Sequence, residues 1–174
     1  MITLEKDFHV EVEQNGKLIE VINGEVTLEK EEFNLVFTLP EPMGLLLNSS
    51  FNKKTYKLAS AGKPKSELPG FQTTGMAEGL LNEDKEIIIS DDSPSYWFYT
   101  DEEMNRFNST EKVNGKLMCK RTIQNLWDVE TKETTKISDV KKPLYIVFLS
   151  YKMAENKTDE IELKREWIKI NWKK

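Results

Sequence analysis

Cysteine and histidine are nearly absent, for the 174 residues hold one of each, Cys119 and His9. One cysteine excludes an internal disulfide, and one Cys with one His leaves very few ligands for zinc. A Ser-His-Asp or Cys-His mechanism would have to use His9, which strand alternation places on a polar face between Glu11 and the N-terminal acids. Cys119, between Met118 and Lys120, reads most simply as a small packed residue. No GxGxxG is present, and although Gly70 and Gly75 have the spacing of a phosphate loop, Met76 and Ala77 stand where its lysine and hydroxyl are needed. No cofactor and no metal is expected.

Long apolar runs are missing too. Nothing approaches the 18 consecutive apolar residues of a membrane span. The opening MITLEKDFHVEVE has acids where a signal peptide needs a basic and then an apolar segment, so a cytoplasmic location is expected, secreted or periplasmic if a leader has been removed. The net charge of −5 is uneven: −6 over residues 1–32, −4 over 33–110 and +5 over 111–174. In the basic final third Lys and Arg alternate with Glu and Asp, the pattern of a solvated face, and the acidic whole opposes nucleic-acid binding.

What the sequence has is strand alternation. Phe8, Val10 and Val12 fall on one face and His9, Glu11 and Glu13 on the other. Asn15-Gly16 marks a tight hairpin turn, KLIEVI returns, and Asn23-Gly24 leads into EVTLEK, which together predict a meander of three short strands. Phe33, Leu35, Phe37 and Leu39 give the next strand one apolar face, and GLLLNSS, KEIIIS, SYWFYT and KLMCKRTI read as further strands, the last after Asn114-Gly115. PLYIVFLSYKM is apolar on both faces and belongs in the centre, covered on both sides. Ile161, Leu163 and Trp167 lie in one phase and Ile168, Ile170 and Trp172 in the other, which predicts a bulge or a crossing between sheets.

One helix is expected, near 101–107, where Thr100 and Glu103 form a capping box. From about 60 to 80, glycine and proline prevent a long regular element, and an ordered loop of that length is often a binding loop. Phe71 and Met76 are its apolar anchors and Glu67 and Glu78 its acids. Tyr96 and Tyr99 belong to a run of four aromatics, one face of which could stack on a sugar ring or anchor a protein. Asn48, Asn108 and Asn156 open N-x-S/T triplets that carry meaning only in a secreted chain.

The expected architecture is a single all-β domain, 1–174, of about nine to eleven strands, a two-sheet antiparallel β-sandwich, with a barrel-like closure the alternative. The expected function is a non-catalytic protein-binding domain, for instance a small inhibitor or immunity-type protein with a protein partner. A carbohydrate or small-molecule module is the alternative, and a carboxylate-dependent hydrolase the third reading.

Overall fold

Alternation builds the first hairpin. In β1 (His9–Gln14) Val10 and Val12 are buried while Glu11 and Glu13 are half-exposed. Asn15 and Gly16, at φ 54° and 75°, turn the chain into β2 (Lys17–Ile19), where Ile19 lies opposite Val12. The second Asn-Gly pair also takes left-handed φ, 52° and 75°, inside an Ile22–Glu25 bridge. The computed structural model describes residues 9–40, 44–68, 87–89, 109–113, 116–128, 133–153, 155–156 and 160–174.

The expected three-strand meander stops at two. Strand β3 (Glu25–Leu28) leaves β2 and joins another sheet, parallel to the last strand, β12 (Glu160–Trp172), with Val26 opposite Ile170. Alternation says which face of a strand is buried, and Val26 and Leu28 are indeed buried together. It does not say which edge the strand joins.

The remaining elements are β4 (Phe33–Pro40), β5 (Gly44–Ser50), α1 (Lys54–Ser60), β6 (Ile87–Ile89), β7 (Ser109–Val113), β8 (Lys116–Ile123), β9 (Asn125–Asp128), β10 (Thr134–Lys136) and β11 (Leu144–Met153). They make a five-stranded sheet in the order β2-β1-β4-β8-β7, a four-stranded sheet β3-β12-β11-β5, and a three-stranded sheet β10-β9-β6. The fold is mostly β, and none of these sheets closes into a barrel. Every pair is antiparallel except β3 with β12, so the expectation of an all-antiparallel arrangement is corrected at that one pair. No helix among the described residues is long and apolar enough to cross a membrane.

One core joins the two larger sheets. Val10, Val12, Phe33 and Leu35 of the first meet Leu144, Ile146, Phe148, Ile168 and Ile170 of the second in a single buried cluster. Strand β11 lies between β5 and β12, and its other face, Val147 and Leu149, forms a second cluster with Ala59 of α1 and Leu68. It is covered on both sides, as its two apolar faces require. The last strand does carry a bulge, at Leu163, where the β11–β12 register shifts between Ser150 and Tyr151, but at the expected change of phase the register is unbroken, Trp167 opposite Val147 and Ile168 opposite Ile146, so those two side chains simply take opposite faces. The chain changes sheet in its connections instead, first from β2 to β3.

The described helix is not the expected one. Residues 101–107 lie outside the described residues, whereas α1 occupies 54–60, seven residues with Thr55 and Ala59 buried four apart. Asn52 Oδ1 accepts the Lys54 N–H at its start. At its end Gly62 at φ 81° donates to the Ala59 carbonyl and Lys63 to that of Leu58, a Schellman closure. The segment expected as one open loop from 60 to 80 is therefore structured at its start: a 3₁₀ turn covers Lys65–Glu67, and Leu68 is fully buried.

Candidate functional site

Where β2 gives way to β3, both sheets lose a strand neighbour. In the first sheet β2 pairs with β1 only as far as Val12 opposite Ile19, so among the described residues no strand lies beside Val10 on that side. In the second sheet β3 pairs with β12 only from Lys169 to Trp172. Among the described residues no strand lies along the same edge of β12 from Glu160 to Ile168. The result is a cleft of about 390 Å³ between Val10, Val21 and Gly24 on one side and Lys164 to Ile168 on the other. A second groove of about 310 Å³ shares Val10 and Val21 and continues past Leu18 and Glu20.

Two of the charged groups in the wall of the cleft, Glu166 and Arg165, have structural tasks. Glu166 sits opposite Phe148 and reaches across to the other sheet, where its Oε2 accepts the Val10 N–H at 2.9 Å. Arg165 forms a two-point pair with Glu162, 2.6 and 2.8 Å, and also donates to the carbonyls of Ala59 and Lys63, which fixes α1 to β12. An arginine so bound is neutralised and cannot serve as a mobile anion receptor.

The end of the cleft is closed by a packed corner. The Gly24 carbonyl accepts from the Lys169 N–H at 2.7 Å and from the Tyr56 hydroxyl at 3.1 Å. A Cβ on Gly24 would stand 3.1 Å from both Trp167 Cδ1 and Tyr56 Oη, a tight approach that one of the rings must yield to, so crowding as well as the positive φ favours glycine there. Burial, with lesser help from Glu25 and Tyr145, pushes the Tyr56 phenol above its ordinary value and keeps it a neutral donor.

Exposed apolar side chains occur on the two chain segments that supply the walls of this opening. Leu18 and Ile22 are 62% and 59% exposed at the β2–β3 corner, and Ile161 and Leu163, 42% and 38% exposed, precede the cleft on β12. These four are the large exposed hydrophobics of the described residues. They belong to the two segments that frame the gap.

Of the residues expected to bind, only Glu67 can be placed: it is exposed in the 3₁₀ turn before Leu68. Phe71, Met76, Glu78, Tyr96 and Tyr99 lie outside the described residues. His9 and Cys119 are on β1 and β8, strands separated by β4, and their side chains lie outside what is described. Asn48, which opens one N-x-S triplet, is 2% exposed opposite Val147, so the folded domain does not present it for glycosylation, whereas Asn156 is exposed. Among the described residues no three His, Cys, Asp or Glu side chains gather as metal ligands would.

Sequence reasoning missed the cleft itself. Glu162 to Glu166 read as a solvated charged run, and a side chain that caps a main-chain N–H 156 positions away leaves no mark in the sequence. The exposed pair Leu18 and Ile22 was the available signal, because neither shares the buried phase of Ile19 and Val21. No protein-family model, no curated protein and no solved structure matches this chain.

Proposed function

We propose that the chain is a non-catalytic protein-binding domain, of the kind represented by small inhibitors and immunity-type proteins, and that the cleft at the β2–β3 corner is its contact surface. The observation that carries this reading is the open stretch of the β12 edge beside the cleft, along which no described strand runs, with exposed Leu18 in the neighbouring groove and exposed Ile161 and Leu163 further along the same strand. Large exposed apolar side chains beside an open strand edge are a common mark of an interaction site. We read the two larger sheets as the layers of a sandwich, with the cleft at one open corner.

In the cleft Glu166 stands against Lys164 while Arg165 is paired with Glu162, and the neighbouring groove adds Glu11 and Glu20, so the charge balance is acidic on the groove side. A partner with a basic face is favoured in rate of encounter and in orientation. Within the cleft Trp167 is packed between Gly24 and the α1 cluster and offers no open face to a sugar ring, while Tyr96 and Tyr99, on which the carbohydrate alternative rests, lie outside the described residues.

The test is affinity capture from the native host at low and moderate salt, with the wild type and with Leu18→Ser/Ile22→Ser. Both side chains are exposed, so the double variant should melt as the wild type does yet bind its partner more weakly by about 2 kcal/mol or more. Equal capture by both proteins would move the contact surface away from this corner.

A further inference from the structure

The β12 edge shows how a partner can be held. Lys169 donates its N–H towards β3, and alternate residues of a strand direct their main-chain groups to the same side, so Arg165 and Trp167 direct theirs into the cleft. No described strand pairs with them there. Four residues further on, the same edge carries β3. A strand laid beside Arg165 and Trp167 would continue the line of β3 and stop at the Asn23-Gly24 turn.

We infer that the partner contributes a short extended segment that adds as a strand to β12 beside Arg165 and Trp167, apolar at alternate positions and carrying at least one Lys or Arg. The inference rests on the protein-binding reading above and specifies its partner. Main-chain pairing supplies the affinity in such additions, and the side chains of alternate residues supply the choice of partner. One face of the added strand would meet Val10, Val21 and Ile168, which are apolar. Arg165 is neutralised by Glu162, so Glu166 and the exposed Glu20 outweigh Lys164 at the rim, and a cation on the segment complements that balance.

The bulge at Leu163 limits the length. Bulges and charged side chains are the means by which exposed edges avoid pairing with copies of themselves. Here they leave a straight edge of about five residues, or about 16 Å at the usual rise. That length suits a short segment of another protein better than the whole edge of a second copy.

The experiment screens the full chain against a displayed library of random linear peptides of about twelve residues, then follows amide hydrogen exchange by NMR with the strongest peptide bound. Enriched peptides should alternate apolar residues with at least one Lys or Arg. At saturation the Arg165 and Trp167 amides should exchange at least about 100-fold more slowly, and replacing the basic residue by Gln should weaken binding about tenfold. A bound peptide that leaves both amides unchanged overturns strand addition while the protein-binding reading stands. So does a library that yields nothing while a folded partner is still captured, since that partner presents a folded surface. Self-association that protects the same amides without peptide overturns the choice of occupant.

Discussion

Glu166 and Val10 join the two larger sheets through one hydrogen bond, the Val10 N–H donating to the Glu166 carboxylate at 2.9 Å. Strand β2 has already turned away at this point, so the carboxylate satisfies a donor that the ladder leaves unmade. The same contact bridges the two walls of the cleft.

Glu166→Ala should therefore destabilise the domain by about 1 to 3 kcal/mol, the cost of a half-buried donor that loses a charged partner. Glu166→Gln keeps an acceptor and should lose less. Urea melts of the two variants side by side check the order.

Gln14 makes a second long-range tie. Its side chain is 4% exposed, its Nε2 donates among the carbonyls of Glu29, Glu31 and Glu32, and its Oε1 accepts the Glu29 N–H at 2.9 Å. Gln14→Ala should cost about 1 to 3 kcal/mol for the unpaired main-chain groups. Gln14→Glu should cost more at neutral pH, because a carboxylate facing three carbonyls repels them, and acidification should recover part of the loss.

The Gly24 corner gives a paired comparison. Gly16 and Gly24 share φ 75°, but a Cβ meets nothing within 4 Å at Gly16 and meets Trp167 and Tyr56 at Gly24. Gly16→Ala should cost about 1 to 2 kcal/mol from backbone conformation alone, and Gly24→Ala clearly more. Equal melting temperatures would show that Trp167 can move aside.

Glu13 sets a pH dependence. Its carboxylate accepts from Asn34 Nδ2 at 2.8 Å and from Lys120 Nζ at 3.3 Å. The Asn34 hydrogen bond foremost, with Lys120 and against an opposing burial effect, holds its pKa below the ordinary 4.5. A folded value below the unfolded one means that this stabilisation is present above pH 4.5 and is lost as the pH falls through the folded value. For a pair this near the surface it amounts to less than about 1 kcal/mol. Glu13→Gln should thus be slightly less stable than the wild type at neutral pH, with the gap closing in acid melts.

Much of the strand content was legible because burial imposes a period of two. Val10 and Val12, Phe33 and Leu35, and both faces of β11 sit where alternation places them. The destination of β3 was not legible, since pairing choice depends on partners far along the chain. Helix α1 was missed because seven residues offer few periodic positions, although Thr55 and Ala59 and the Gly62 that follows were usable signals. The cleft is made from residues 10, 21, 24 and 164–168, and only the fold brings them together.

The central claim, that a protein partner binds at the β2–β3 corner, is tested most directly by site-specific photo-cross-linking. A cross-linking side chain is placed at Leu18, in the groove, and in a separate variant at Ser60, exposed at the end of α1. Irradiation in the host lysate should join one protein species covalently to the Leu18 variant and none to the Ser60 variant. The same species captured from position 60, or nothing captured from position 18 by a variant that folds and binds normally, would contradict the account.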